Sequence, residues 1–134
     1  MTRIFADTSY WMGLVNPRDQ IHQKAISVSQ QVSSESLVTT EMVLVEVLNS
    51  LSDSLYREAV GRMVVRLRQD QNLTIIPQTP AQFESALQRY QRAADKGWSL
   101  TDCASFQVME AEQIRAALTH DQHFAQAGFE TLLR

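Results

Sequence analysis

Four acidic residues stand in apolar surroundings where folding alone gives no reason for a charge. They are spread over the whole chain: Asp7, Glu46, Asp102 and Asp121. An ionised carboxylate is rarely buried without a partner, because removing the charge from water costs several kcal/mol. Carboxylates that meet in one place also repel one another. A divalent cation removes both costs, and hard oxygen ligands suit Mg²⁺ or Mn²⁺.

Each of these acids also has a purely structural explanation. Asp7 and Asp102 could stabilise the start of a helix as caps. Glu46 could point outward to solvent, and Asp121 could belong to a turn. Their positions together favour chemistry, because three of the four lie at the carboxyl ends of predicted strands or at the helix starts that follow. That edge of an open parallel sheet is where ligands bind.

The hydrophobic pattern predicts strands that alternate with helices along the chain. The predicted strands are residues 3–6, 37–39, 73–76, 114–119 and 129–133. The predicted helices are residues 10–15, 20–32, 41–51, 54–71, 79–97 and a segment that begins at Asp102. Such alternation indicates one α/β domain over residues 1–134, with a parallel sheet of four to five strands and helices on both faces.

The patterns within these helices predict how they pack. The helix of residues 79–97 has apolar side chains at helical spacing, which predicts that this side faces the core. These side chains are Phe83, Leu87, Tyr90 and Ala94. The helix of residues 41–51 is apolar on most sides, so we expect it deep in the fold. Thr8 and Ser9 follow the first strand and are expected to cap the first helix.

Composition narrows the class of protein. The net charge is -3, and no run approaches the roughly 20 apolar residues that span a bilayer. A lone cysteine, Cys103, and the lack of a signal-peptide pattern favour the reducing cytoplasm. Ten of the twelve cationic side chains are arginine, whose planar group suits phosphate. Arg57, Arg62 and Arg66 share one predicted helix, where they either bind a phosphate backbone or form a solvated flank.

Other kinds of catalytic site find less support. Cys103 has no histidine in a matching motif, so a small buried residue is the simpler interpretation. His120 and His123 flank Asp121, but a zinc site would need more soft ligands than the chain offers. Ser9 lacks the Gly-x-Ser-x-Gly pattern of a hydrolase nucleophile. A glycine-rich phosphate loop is absent, and neither lysine lies where an aspartyl phosphoacceptor would need one.

Four short motifs, taken in order, resemble the PIN domain family. They are residues 5–9 around Asp7, 43–49 around Glu46, 99–103 around Asp102, and 117–121 before Phe124 and Gly128. The likeness covers nearly the whole chain and is strongest to the VapC-like branch of bacteria and archaea. It implies a compact α/β nuclease fold that binds Mg²⁺ or Mn²⁺ through acids and cleaves RNA.

The resemblance also implies a role for each matching residue. It assigns the catalytic metal to Asp7, Glu46 and Asp102, while Asp121 completes or supports a second site. The family's neighbouring hydroxyl positions are matched by Thr8, Ser9 and Thr119. The leading hypothesis is therefore a metal-dependent endoribonuclease that is the toxin of a toxin–antitoxin pair. The alternative is a catalytically silent PIN-like module that binds RNA or protein.

Partners follow from the same resemblance. RNA is the expected substrate, with the arginine cluster on its backbone, and a small antitoxin protein is the expected inhibitor. A homodimer is also implied. The expected dimer surface is an exposed segment of Tyr10, Trp11 and Met12, together with apolar parts of the helices of residues 41–51 and 54–71.

Overall fold

A five-stranded parallel sheet forms the centre of the molecule. The computed structural model describes residues 2–53 and 55–134. The strands are β1 (Ile4–Ala6), β2 (Leu37–Thr40), β3 (Thr74–Ile76), β4 (Ala116–Leu118) and β5 (Glu130–Thr131). Their order is β3-β2-β1-β4-β5, and every neighbouring pair is parallel. The predicted α/β fold with a parallel sheet of four to five strands is confirmed.

Seven helices in the described part of the chain cover the two faces of this sheet. They are α1 (Thr8–Val15), α2 (His22–Ser29), α3 (Glu41–Ser50), α4 (Arg57–Gln69), α5 (Pro80–Arg92), α6 (Leu100–Ala111) and α7 (Gln122–Gln126). A short 3₁₀ turn, Ser34–Ser36, precedes β2. None of the described helices is long and apolar enough to cross a membrane.

Several element boundaries differ from the sequence-based expectation, and one short helix was not expected. The helix α7 was not predicted, because five residues are too few to show a helical period. The predicted start of the fourth helix, residue 54, lies outside the described residues, as does Met1, and the described helix begins at Arg57. The predicted helix starts at residues 41 and 79 are confirmed to within one residue, and the side chains of Thr40 and Thr79 cap the helices that follow.

The adjacent strands β1 and β4 are fully apolar because helices cover both faces of the sheet. Phe5, in the central strand β1, is completely buried and stacks against Phe124 of α7, with ring centroids 6.4 Å apart. Phe124 in turn meets Phe106 of α6 edge-on at 4.9 Å. This aromatic cluster holds the starts of α6 and α7 against the end of β1, which is where the predicted acids lie.

The predicted buried face of α5 is wrong. Phe83 and Tyr90 are 45% and 48% exposed, whereas Ala86 is completely buried. The small side chain of Ala86 lets α5 approach α6 closely, and Arg89 adds a two-pronged ion pair with Glu110 on α6 at 2.7 and 2.8 Å. Close packing and this ion pair therefore turn the apolar stripe toward solvent. The helix also ends at Arg92, before the turn that contains Gly97.

The segment expected to form an exposed dimer surface is instead mostly in the core. Tyr10 and Trp11 are 2% and 3% exposed, and their rings meet edge-on. The indole Nε1 of Trp11 donates a hydrogen bond to Thr39 Oγ1 at 3.4 Å. The amphipathic character of Trp suited either location, and the packing of α1 against α2, α3 and α4 decided it.

The expectation that α3 is deep in the fold holds for one side only. Val43 and Val47 are completely buried, but Val45 between them is 54% exposed. On the same helix Glu46 is half buried. The helix α3 therefore has a core side and a solvent side, and Glu46 lies at the boundary between them.

Candidate active site

The register of β1 and β4 brings the first two site residues together. Ala6 lies beside Leu118 in parallel strands, so the residues that follow, Asp7 and Thr119, leave the sheet at the same edge. The backbone N–H of Asp7 donates to the Leu118 carbonyl at 3.2 Å. Thr119 Oγ1 donates to Asp7 Oδ2 at 2.8 Å. The two strand ends are thus tied together by main-chain and side-chain hydrogen bonds.

Asp7 is held in an environment that disfavours its charge. The residue is 4% exposed, and burial raises the pKa of its carboxyl from 3.8 to about 7. Hydrogen bonds from Thr119 and the Thr8 backbone oppose this shift, while the charges of Asp102 and Glu46 add to it. Asp7 occupies the N-cap position of α1 but makes no side-chain capping hydrogen bond. A capping role therefore does not explain why an acid is buried here.

The predicted hydroxyls do not share one role. Thr119 Oγ1 also accepts the Asp121 N–H at 3.0 Å, so it links two of the acids. Ser9 Oγ lies 3.3 Å from Thr119 Oγ1 and accepts the His120 N–H at 3.0 Å. The Thr8 hydroxyl is buried and has no hydrogen-bond partner among the described residues. The expectation that Thr8 or Ser9 caps α1 is wrong, because both lie inside the helix.

Asp102 takes part in capping its helix, and its carboxyl also lies beside His123 and close to the charge of Asp121. The expectation that α6 begins at Asp102 is wrong. Ser99 is the N-cap of this helix, and Asp102 is its third residue. The two residues form a capping box in which the Asp102 N–H donates to Ser99 Oγ at 3.0 Å, and the Ser99 N–H donates to Asp102 Oδ2 at 3.1 Å. Burial nevertheless raises the pKa of Asp102, and the charge of Asp121 adds to the rise. The helix start thus holds a largely buried carboxyl, 10% exposed at its side chain, in a fixed direction.

Asp121 is the N-cap of the unpredicted helix α7. Its Oδ1 accepts the His123 N–H at 2.8 Å. The side chain is 36% exposed, so this acid forms the open side of the cluster. The turn interpretation and the site interpretation are again compatible, because the capping bond fixes one carboxylate oxygen and leaves the other free to bind a ligand.

His123 lies beside two of these acids, a position that sequence reasoning missed. Its Nδ1 lies 3.0 Å from Asp102 Oδ2 and 3.4 Å from Asp121 Oδ1. The three side chains each offer a ligand atom within 4.8 Å of the others. His120, considered with it in the sequence, instead has its Nδ1 3.2 Å from the Leu133 carbonyl. The available signal was the position of His123 two residues after an acid that caps a short helix.

Glu46 approaches the cluster from α3, which packs against α6. It lines a cavity of about 270 Å³ together with Thr101, the neighbour of Asp102, and its charge contributes to the raised pKa of Asp7. The four predicted acids therefore lie in one region of the molecule, where their charges affect one another. Among the described residues, the side chains whose ligand atoms all lie within 4.8 Å of one another are Asp102, Asp121 and His123. Asp7 and Glu46 are not part of this group.

The predicted phosphate-binding arginines form a surface patch on α4. Arg57, Arg62 and Arg66 surround a shallow pocket with Gly61 and Val65. Two of them already have local partners. The Arg62 guanidinium pairs with Glu58 at 2.7 Å, and Arg57 Nη1 donates to the Ser52 carbonyl at 2.8 Å.

The donor set fits a divalent cation. Carboxylate oxygens are normal ligands for Mg²⁺ and Mn²⁺, and an imidazole nitrogen is a normal ligand for transition ions. Burial raises the pKa of both Asp7 and Asp102, so a nearby positive charge would relieve the cost of their ionised forms. The unpartnered hydroxyl of Thr8 directly beside Asp7 is a further polar group with no protein partner in the described chain.

Known structures share this arrangement of strands and helices. VapC20 from Mycobacterium tuberculosis, described as a sarcin–ricin loop cleaving toxin, is 27% identical with a TM-score of 0.86, over 94% of this chain and 95% of that one. FitAcB from Neisseria gonorrhoeae is 15% identical with a TM-score of 0.66, over 96% and 95%. PAE2754 from Pyrobaculum aerophilum is 15% identical with a TM-score of 0.62, over 98% and 91%. The latter two show likeness of fold alone.

The family assignment rests on nearly the whole chain. No curated protein sequence matches it significantly. The model of the PIN domain matches residues 4–130, a span that begins at β1 and ends at β5 and includes all four acids. Together with the fold, this match means that the chain belongs to the PIN domain family.

Proposed function

We propose that the protein is a metal-dependent endoribonuclease that hydrolyses RNA phosphodiester bonds and acts in the cytoplasm as the toxin of a toxin–antitoxin pair. The observation that carries the proposal is the convergence of buried carboxyls at the carboxyl edge of β1 and β4. Family membership and the 27% identity to a toxin that cleaves the sarcin–ricin loop add support.

The ion in this proposal is Mg²⁺ or Mn²⁺, held by Asp7, Glu46 and Asp102, with Asp121 completing or supporting a second site. Such an ion would stabilise negative charge on a scissile phosphate and orient a water molecule for in-line attack. The protein's own part is to fix the carboxylates. Thr119 orients Asp7 through its 2.8 Å hydrogen bond, and the Ser99 N–H orients Asp102. Fixed ligands keep the reacting groups within the small tolerance that catalysis requires.

The proposed substrate is RNA, and a structured loop is the first candidate because VapC20 acts on one. In this proposal Arg57, Arg62 and Arg66 contact the phosphate backbone. Arg62 is already paired with Glu58, but both side chains are mostly exposed, so the pair is worth little and can open.

Protein partners are the remaining part of the proposal. The antitoxin would bind exposed apolar surface such as that of Val45 on α3 and Val65 on α4, which are 54% and 57% exposed. The homodimer cannot use Tyr10 and Trp11, which are buried, although apolar side chains of α3 and α4 are exposed as expected. We assign it to the exposed side of α5.

The test is cleavage of total RNA, and of a sarcin–ricin loop hairpin, by purified protein with Mg²⁺ or Mn²⁺. We expect cleavage with metal, none with a chelator, and none from Asp7→Asn. The matched control is Asp95→Asn, the same chemical change at an exposed acid beside Lys96. Binding of the hairpin without any cleavage, under all metal conditions, would contradict the proposal and favour the silent binding module.

A further inference from the structure

His123 lies where a ligand of the bound ion would lie, although the motifs assign it no role. Its Nδ1 approaches carboxylate oxygens from two different elements, Asp102 Oδ2 at the start of α6 and Asp121 Oδ1 at the start of α7. In the tautomer that carries its proton on Nε2, Nδ1 presents a lone pair toward both oxygens.

The distances between these atoms match those between neighbouring ligands of one metal ion. With metal–ligand bonds of about 2.1 Å, adjacent ligand atoms are about 3.0 Å apart in octahedral coordination. The separations from Nδ1 are close to this value, at 3.0 Å to Asp102 Oδ2 and 3.4 Å to Asp121 Oδ1, and all three atoms lie within 4.8 Å of one another. Only small side-chain movements would be needed for them to share an ion.

The group is also fixed and accessible enough to serve as a ligand site. The backbone N–H of His123 is held by Asp121 Oδ1, and the opposite carboxyl is held by the capping box of α6. The side chains of His123 and Asp121 are 27% and 36% exposed, so water or a phosphate oxygen can reach the remaining coordination positions.

We infer that His123 is a ligand of the divalent cation, and that its nitrogen makes the site prefer Mn²⁺ and later first-row ions over Mg²⁺. Imidazole nitrogen suits transition ions, whereas Mg²⁺ takes oxygen ligands. The inference rests on the proposed metal-dependent function, but metal binding alone tests it. If His123 merely oriented the two carboxylates, its loss would weaken all divalent ions to the same extent.

The direct experiment is pulsed electron paramagnetic resonance of Mn²⁺ bound to the full chain without RNA. We expect a ¹⁴N coupling to the ion in the wild type, lost in His123→Asn and kept in His120→Asn. Asn can retain the hydrogen bond to Asp102 but offers no imidazole nitrogen, and His120 is the matched control because its ring faces the Leu133 carbonyl. No ¹⁴N coupling in the wild type would overturn the inference, even if His123→Asn failed to fold.

Calorimetric titration with Mn²⁺ and with Mg²⁺ gives the second measurement. His123→Asn should weaken Mn²⁺ binding by about tenfold or more and leave Mg²⁺ binding nearly unchanged. Equal losses for both ions, or no loss for either, would contradict the assignment. Failure of the wild type to cleave RNA would count against the proposed function alone, because neither binding measurement involves RNA.

Discussion

Replacement of Asp7 by Asn should stabilise the metal-free protein at neutral and higher pH, although it removes a proposed catalytic ligand. The folded protein keeps a proton on this carboxyl up to about pH 7, while an unfolded chain releases it near pH 3.8. The raised pKa therefore contributes stability that is fully present below pH 3.8 and is lost as the pH rises through 7. An Asn side chain does not titrate, so at this position its contribution to stability does not change with pH.

The size of this effect follows from the two pKa values. Each pH unit between them is worth about 1.4 kcal/mol, so ionised Asp7 costs the folded state about 4 kcal/mol above pH 7. The neutral amide accepts a weaker hydrogen bond from Thr119, at a loss of about 1 kcal/mol. We expect Asp7→Asn to be more stable than the wild type by about 3 kcal/mol at pH 8, and by less than about 1 kcal/mol at pH 5.

Urea unfolding in the presence of a chelator, followed by tryptophan fluorescence, measures this difference. The buried Trp11 makes the signal sensitive to unfolding of the region beside the site. Asp95→Asn is the control and should match the wild type at both pH values. A variant that is less stable at pH 8, or a difference that is the same at pH 5 and pH 8, would refute the burial argument for Asp7.

Three further predictions concern the other acids and the dimer. Glu46→Gln should abolish metal-dependent RNA cleavage with its circular dichroism unchanged, and cleavage near the wild-type rate would remove Glu46 from the site. Mn²⁺ should raise the melting temperature of the wild type, because an ion at roughly 100 times its dissociation constant stabilises the folded state by about 2.7 kcal/mol. Asp102→Asn should reduce that rise without lowering the metal-free melting temperature much. Full Mn²⁺ stabilisation of a variant that melts clearly lower without metal would make Asp102 a cap alone. Light scattering should find a dimer that Phe83→Glu or Tyr90→Glu dissociates, and a monomeric wild type at tens of micromolar would end the dimer proposal.

Much of the fold follows from local patterns that the sequence displays openly. Alternating apolar runs predicted the five strands, because a sheet covered on both faces requires continuous apolar strands. Thr40 and Thr79 predicted helix starts, since a hydroxyl before a helical run meets free backbone N–H groups. Cys103, interpreted as a small buried residue, is indeed completely buried.

The errors arose where packing between elements decides the outcome. The stripe containing Phe83 and Tyr90 has the spacing of a buried face, but Ala86 and Arg89 make the contacts with α6. Conversely, Tyr10 and Trp11 could have lain at a surface, and the docking of α1 buried them. Helical spacing identifies an apolar side but does not show which partner that side will meet.

The sequence indicated that the acids would lie near one another, but it did not indicate that His123 would lie beside them. Asp7 and Asp121 lie just beyond the ends of β1 and β4, and Asp102 lies in the first turn of α6. The role of His123 depends on α7, a helix too short to predict, and on a 3.0 Å approach between residues 21 positions apart. The additional helix-capping role of Asp102 likewise became clear only when Ser99 was placed as its partner.

The central claim is that a divalent cation at these acids is required for hydrolysis of RNA. Its most direct test is a Mn²⁺ titration in which metal occupancy and cleavage of a sarcin–ricin loop hairpin are measured in the same samples. The account predicts that cleavage rises in proportion to occupancy, and that Asp7→Asn loses most of both while Asp95→Asn keeps both. Cleavage that persists in chelator, or full occupancy of the wild type without any cleavage, would contradict it.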